Sequence, residues 1–357
     1  SMKPDIKTLL NLMMQKNASD LHITAYSPPQ LRVDEKLVLT GFELLTPQTT
    51  KELAYSILTK PQIETFERDW ELDMSFSVEG LSRFRVNVFL QRGNVGVAIR
   101  SIPFEIMTFE QCGLPVDIAM SLCRKPKGLV LVTGATGSGK SATLASMVDK
   151  INSERPCHII TVEDPIEFVH KNKKAIVDQR EVGSDTKSFA AALKHVLRED
   201  PDVILIGEMR DLETIEAALI IAETGHLVFA TLHTSDSVQT INRIIDVFPA
   251  HQQQQIRTQL SFVLLGVLSQ QLIPKTPGPG RVLATEVLIA TPAVRSLIRE
   301  SKIHQLYSVI QTSQKEGMRT MNKALYELYE KKLITYEDAL MRTTDVEDLM
   351  TIFKKRT

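Results

Sequence analysis

The chain has 357 residues, with 42 Lys plus Arg against 43 Asp plus Glu and a formal net charge of -1 at pH 7. This overall balance does not indicate a basic surface of the kind that binds a phosphate backbone, so nucleic acid is not an expected partner. The length exceeds what one hydrophobic core usually organises, so we expect two domains. No apolar run approaches the roughly 18 residues of a membrane span, and the three cysteines form no C-x-x-C pair, which favours reduced thiols.

The N-terminal part of the chain predicts a small α+β domain. Apolar residues recur at helical spacing from Ile6 to Met14, which predicts an amphipathic helix. Alternating apolar and polar residues predict strands at 31–39 and 82–88. We expect this domain to cover residues 1–103, and the Gly and Pro breaks that follow predict a linker at 104–127.

The remainder, residues 128–357, predicts an α/β domain. A helical pattern at 186–198 lies among short apolar runs that predict buried strands. Such alternation indicates a parallel sheet with helices on both faces. The predicted strands are 129–132, 159–162, 203–206 and 227–232.

Between the first of these strands and a predicted helix, residues 134–141 spell Gly-Ala-Thr-Gly-Ser-Gly-Lys-Ser, a complete G-x-x-x-x-G-K-[ST] phosphate loop. Glycines let the backbone curl so that its N–H groups and the positive helix end face a phosphate. Lys140 is expected to reach the β- and γ-phosphate oxygens, and the Ser141 hydroxyl to bind Mg²⁺. The sequence therefore predicts ATP and Mg²⁺ as ligands. The expected nucleotide-binding residues are Gly134, Ala135, Thr136, Gly137, Ser138, Gly139, Lys140, Ser141 and Ala142.

Polar side chains follow three of the predicted strands. Ligands of open α/β sheets bind at the carboxyl ends of strands. Glu163, Glu208 and His233 are therefore candidates for residues that act on the γ-phosphate during hydrolysis. A hydrolase needs one carboxylate to orient or deprotonate water and a second to hold the metal, and Glu163 and Glu208 can divide these tasks. Gly207 stands where many ATPases carry an Asp, which leaves open whether Glu208 binds Mg²⁺ directly or through water. A helix cap or a solvated acid is the alternative for either glutamate.

His226 and His233 flank one predicted strand. Their odd spacing places them on opposite faces, so joint metal binding is not expected. His233 is expected to sense the γ-phosphate or to bridge to the metal through water, and a purely structural role is the alternative for both histidines.

Several arginines are candidates for contacting a phosphate from a neighbouring subunit. Arg83 and Arg85 share one face of their strand, where a solvated sheet edge is the competing interpretation. Together with Arg100 they are candidate arginine fingers, and Arg210 and Arg243 are further ones.

Four segments resemble, in the same order, the Walker A, Asp box, Walker B and His box of the secretion-superfamily hexameric ATPases. These are 134–141, 159–168, 198–211 and 225–234. The resemblance is greatest to the PilT-type type IV pilus retraction ATPases, and it covers nearly the whole chain. It implies a PAS-like N-terminal domain, a RecA-like P-loop domain with C-terminal helices, and a homohexamer with ATP between the domains and arginines contributed across them.

The same resemblance implies roles for individual residues. Glu163 would be the general base, Glu208 the Walker B acid and His233 a member of the His box. Val294 and Ser296 depart from the Ile and Asn of the family's retraction motif, a difference that bears on retraction rather than on ATP hydrolysis.

The implied function is a cytoplasmic motor, peripheral at the inner membrane face, that hydrolyses ATP to power pilus retraction and twitching motility. It would move the pilus base through an inner-membrane platform protein, and a paralogous retraction ATPase is a further implied partner. One alternative is an accessory PilU-like motor. Pilus-assembly and type II secretion ATPases are another, although they typically carry a longer N-terminal region and a tetracysteine insertion that this sequence lacks. A nucleotide-gated scaffold is a non-enzyme alternative, and the near-neutral charge disfavours a DNA motor.

Overall fold

The structure, a computed structural model, describes residues 3–34, 36–102 and 105–355. The chain forms two compact units, Ser1–Glu105 and Ile106–Thr357. Among the described residues, no helix is long and apolar enough to cross a membrane.

In its described residues, the N-terminal unit consists of an antiparallel sheet of six strands in the order β3-β2-β1-β6-β5-β4 and three helices. Helix α1 begins where the Asp5 side chain accepts a hydrogen bond from the Thr8 N–H, and it buries Leu9, Leu10 and Met13. The predicted N-terminal helix and α+β class are confirmed. The elements are α1 (Ile6–Gln15), β1 (Asp20–Ile23), β2 (Gln30–Val33), β3 (Lys36–Leu39), α2 (Pro47–Tyr55), α3 (Lys60–Asp69), β4 (Glu71–Val78), β5 (Ser82–Gln91) and β6 (Asn94–Ile102).

The single strand predicted at 31–39 is wrong. The chain forms a hairpin there, in which β2 and β3 pair antiparallel with Gln30 opposite Leu39 and Val33 opposite Lys36. Asp34 has φ 48°, a left-handed conformation that Asp tolerates and that reverses the chain. Glu35, the next residue of the predicted strand, lies outside the described residues.

The larger unit contains a seven-stranded sheet in the order β13-β12-β7-β11-β10-β8-β9. Strands β12, β7, β11, β10, β8 and β9 run parallel, and β13 is antiparallel to β12, so the sheet is mixed rather than wholly parallel. The predicted α/β class is confirmed. The central strands β7, β10 and β11 are buried along their whole length because helices cover both faces.

The strands of this unit are β7 (Gly128–Thr133), β8 (His158–Glu163), β9 (Ile176–Glu181), β10 (Val203–Ile206), β11 (Leu227–Leu232), β12 (Leu264–Pro274) and β13 (Arg281–Ile289). The helices are α4 (Phe109–Cys112), α5 (Val116–Cys123), α6 (Lys140–Glu154), α7 (Phe189–His195), α8 (Leu212–Glu223), α9 (Ser237–Asp246), α10 (Ala250–Val263), α11 (Pro292–Arg299), α12 (Leu306–Thr312), α13 (Met321–Glu330), α14 (Tyr336–Arg342) and α15 (Val346–Lys354).

Two local predictions in this unit differ from the structure. The segment 104–127, predicted as a linker, contains helices α4 and α5, and their residues Phe109 and Leu122 join the core beneath the sheet. The helix predicted at 186–198 begins only after its N-cap, Ser188, and ends in a 3₁₀ turn at Val196–Glu199. Leu197, predicted on the buried face, is 44% exposed because the tighter turn rotates it away from the core.

The strand order brings the carboxyl ends of four strands side by side. β7, β11, β10 and β8 are consecutive neighbours and run parallel, so the loops that follow them leave the same edge of the sheet. The three cysteines, Cys112, Cys123 and Cys157, are free.

Candidate active site

A cavity of about 380 Å³ opens at this edge of the sheet. It is lined by the phosphate loop and by the residues that end β8, β10 and β11. Its volume is within the range of sites that bind small molecules. The predicted site residues on its wall are Thr136, Gly137, Lys140, Ser141, Glu163, Glu208, Arg210 and His233.

The conformation of the phosphate loop requires glycine. Gly134 has φ 152°, and a Cβ there would lie 2.7 Å from the Gln270 carbonyl oxygen. Gly139 is the N-cap of α6 at φ 87°, a left-handed conformation that costs other residues energy. Helix α6 begins at Lys140, within the phosphate-loop motif, so the N–H groups of its first turn have no partner inside the helix. Such an end attracts phosphate.

Lys140 is held at the floor of the cavity. Its Nζ donates to the Gly134 carbonyl oxygen at 2.6 Å and lies 3.0 Å from His233 Nδ1. Burial lowers the pKa of Lys140, and the nearby Glu208 carboxylate acts in the opposite direction. The ammonium group is therefore partly desolvated, which strengthens its attraction to an anion.

Glu208, two residues after β10, is held between two basic side chains. Its Oε1 is 2.6 Å from His233 Nε2, and its Oε2 is 2.5 Å from an Arg210 nitrogen. Burial alone would raise the pKa of Glu208, but the Arg210 hydrogen bond and the nearby His233, Arg210 and Lys140 side chains outweigh it and hold the pKa below its ordinary value. The lowered pKa keeps Glu208 ionised at neutral pH.

Glu163, the last residue of β8, has the opposite electrostatic character. Its Oε2 accepts hydrogen bonds from Thr161 Oγ1 at 2.7 Å and from Gln179 Nε2 at 3.1 Å. Burial nevertheless raises the pKa of the carboxyl to about 7, and the hydrogen bonds from Thr161 and Gln179 only partly oppose this. A carboxylate with a pKa near 7 suits a general base at neutral pH.

The two histidines at the ends of β11 have different surroundings. His233 bridges Lys140 and Glu208, whereas His226 Nδ1 lies 3.0 Å from the Ile221 carbonyl oxygen and 3.2 Å from Thr224 Oγ1, at the end of α8. The structure therefore brings only His233 to the cavity.

The predicted arginines fall into two groups. Arg210 lines the cavity, and Arg243, in the last turn of α9, does not. Arg83, Arg85 and Arg100 belong to the N-terminal unit. There, Arg85 and Arg100 are directly opposite each other on β5 and β6. Arg100 Nε also donates to Asp20 at 3.0 Å, and Arg83 to Ser77 Oγ at 3.2 Å.

Sequence reasoning missed two side chains that contact Glu163. Thr161 is two residues before Glu163 and thus on the same strand face, a spacing that would have pointed to it. Gln179 gave no such signal because β9 was not predicted. Of the other predicted nucleotide-binding residues, Ala135 and Ser138 belong to the phosphate loop and Ala142 to the first turn of α6, and none of the three lines the cavity.

A phosphate loop after one parallel strand, with carboxylates after two neighbouring strands and all of them around one cavity, defines a P-loop ATPase. Comparison with known proteins gives the particular family. Residues 1–279 match the family model described as Type II/IV secretion system protein. The chain belongs to this family.

Individual relatives cover almost the whole chain. It is 50% identical over 335 residues to the type IV pilus retractation ATPase PilT of Pseudomonas aeruginosa, an alignment that covers 94% of this chain and 97% of the relative. It is 42% identical over 350 residues to the type IV pilus ATPase PilU of the same organism, covering 98% and 91%. A crystal structure of the pilus retraction motor PilT with bound ADP superposes with a TM-score of 0.90 at 52% identity, covering 98% of this chain and 99% of that one.

Replacing His233 by alanine is expected to lower the maximal rate of ATP hydrolysis about tenfold to a hundredfold, because it removes the bridge between Lys140 and Glu208. The control is His226→Ala, at the opposite end of the same strand, which should stay within about twofold of the wild-type rate. Steady-state phosphate release by both variants checks this. Equal losses in the two variants would contradict a specific role for the bridge between Lys140 and Glu208.

Proposed function

We propose that this chain is the motor that hydrolyses ATP to power type IV pilus retraction, and thereby twitching motility. The observation that carries the proposal is the placing of Glu163 in the same cavity as Lys140 of the phosphate loop, so that a base faces the site where a γ-phosphate would bind. The similarity to the retraction ATPase of Pseudomonas aeruginosa supports the cellular role.

In this proposal, the N–H groups of the phosphate loop and the Lys140 ammonium bind the β- and γ-phosphates. Glu163 accepts a proton from the attacking water. His233 lies between Lys140 and Glu208 and is therefore placed to respond to the γ-phosphate. ATP and ADP then differ in their contacts with Lys140, Glu208 and His233. The resulting difference in affinity can drive a conformational cycle.

The residues of the cavity fit Mg²⁺. The Ser141 hydroxyl and the Glu208 carboxylate both line it, and Mg²⁺ takes oxygen ligands. Within the described part of the chain, no three His, Cys, Asp or Glu side chains come together as a metal site. Mg²⁺ usually relies on one or two protein oxygens together with phosphates and waters, so these two residues are enough. When bound, Mg²⁺ would neutralise charge on the phosphates.

The assembly belongs to the same proposal. We infer a homohexamer at the cytoplasmic face of the inner membrane, which acts on the pilus through a platform protein and without inserting into the bilayer. Arg83, Arg85 and Arg100 are the proposed arginine fingers for ATP bound to another copy. Their grouping on the neighbouring strands β5 and β6 supports this, because Arg85 is directly opposite Arg100 and two residues from Arg83, while Arg100 also pairs with Asp20. A paralogous retraction ATPase is a further proposed partner.

Expression of the chain in a strain that lacks its own retraction ATPase is expected to restore twitching, and Lys140→Ala should not. In parallel, the purified chain should release phosphate from ATP and have the mass of six subunits, while Arg85→Ala should keep that mass and lose turnover. A monomer that releases no phosphate would contradict the proposal. Twitching that returns only when another retraction ATPase is present would instead indicate the accessory function, which the similarity to PilU favours as the second candidate.

A further inference from the structure

Two side chains from neighbouring strands hold the same oxygen of Glu163. Thr161 Oγ1 and Gln179 Nε2 both donate to Oε2, at 2.7 Å and 3.1 Å. In the parallel pair β8 and β9, Thr161 is directly opposite Gln179. Thr161 is also two residues from Glu163, so the three side chains share one face of the sheet.

The orientation of the Gln179 amide is fixed by further contacts. Nε2 also donates to the Phe168 carbonyl oxygen at 2.8 Å, while Oε1 accepts from the His170 N–H at 2.8 Å. Both amide hydrogens are therefore used. A rotation by 180° would turn the amide oxygen toward a carboxylate and a carbonyl, which would repel it. Gln179 thus ties the carboxyl of Glu163 to the loop that follows β8.

The second oxygen of Glu163, Oε1, is available to accept a proton. Within the described chain, no hydrogen bond reaches Oε1, and Glu163 lines the cavity that contains Lys140. We propose that Thr161 and Gln179 are positioning residues, which hold Oε2 so that Oε1 faces the attacking water. This rests on the proposed role of Glu163 as the base.

The arrangement has a measurable electrostatic consequence. Burial raises the pKa of Glu163, and each hydrogen bond to its charged form lowers it. Removing one donor should therefore raise the pKa further, and the acid limb of the rate profile should move to higher pH. The other titratable and charged groups around this carboxyl or on the cavity wall are Glu167, Glu181, Asp164, His170, Lys140, Glu208, Arg210 and His233.

The first test is Thr161→Val, which keeps the shape of this buried side chain and removes its hydroxyl. We expect kcat to fall about threefold to tenfold at pH 7 and to recover to within about twofold at pH 9, with KM for ATP unchanged. Thr161→Ser restores the hydroxyl and should restore the wild-type profile. A loss that is equal at all pH values, or that serine does not rescue, would mean that Thr161 only supports folding.

The second test is Gln179→Met, which retains length but cannot donate. It should move the acid limb in the same direction, whereas Asp178→Asn, the adjacent and exposed residue of β9, should leave the profile unchanged. Glu163→Gln in the same assay separates the two proposals. If that variant keeps full turnover, the proposed function of Glu163 fails. If it is inactive while Thr161→Val and Gln179→Met keep the wild-type profile, the positioning role alone is refuted.

Discussion

Replacing Glu163 by glutamine is expected to lower the rate of ATP hydrolysis about 10²- to 10⁴-fold, since the side chain can no longer accept a proton from water. Nucleotide affinity should change little, because Glu163 is at the end of β8 and the phosphate loop is unaltered. Single-turnover phosphate release and equilibrium binding of a fluorescent ATP analogue measure the two properties separately. Loss of both together would assign Glu163 to binding instead of to the chemical step.

The same substitution should change how stability depends on pH. Burial raises the pKa of Glu163 to about 7, above its ordinary value of 4.5, so the folded state holds this proton more tightly than the unfolded chain does. The resulting stability is fully present below about pH 4.5 and is lost as the pH rises through 7. Glu163→Gln avoids this loss. At pH 8 its free energy of unfolding should therefore exceed that of the wild type, by up to about 3 kcal/mol. Urea titrations at pH 5 and pH 8 check the difference, which should shrink at the lower pH.

Replacing Lys140 by alanine should reduce turnover about 10²- to 10³-fold and also weaken ATP binding, because its partly desolvated ammonium contacts the phosphate loop and lines the cavity. The control is Lys150→Ala on the same helix, where Nζ only forms an i,i+4 pair with Glu154 at 3.0 Å. That pair is partly exposed and should contribute less than about 1 kcal/mol, with turnover unchanged. ATP binding by Lys140→Ala at wild-type affinity would contradict the role assigned to the ammonium.

The sequence predicted those parts of the site that depend on local pattern. The phosphate loop follows from its spacing, and Glu163, Glu208 and His233 follow from apolar runs that each end in a polar residue. The rule that ligands bind where parallel strands end then places these residues together. The strand order β7-β11-β10-β8 brings the residues that follow these strands close together. The order of strands in a sheet cannot be deduced from periodicity alone.

The parts that sequence missed depend on contacts distant in the chain. Gln179 reaches Glu163 only because β9 pairs beside β8, and the short polar pattern of β9 gave no reason to expect a strand. The hairpin at 31–39 was predicted as one strand because the run of three polar residues at 34–36, where the alternation stops, was not recognised as a turn. Helices α4 and α5 were missed since Gly and Pro between them suggested a linker, although those residues mark only their ends.

The β12–β13 hairpin has a mechanical consequence. β12 pairs with β7, the strand that leads into the phosphate loop, and residues of the hairpin share a core with α13 and α15 through Ala284, Leu325 and Leu349. Close-packed interiors are barely compressible and transmit strain. A displacement of the C-terminal helices would therefore be transmitted to the phosphate loop through this core and through the backbone hydrogen bonds between β12 and β7.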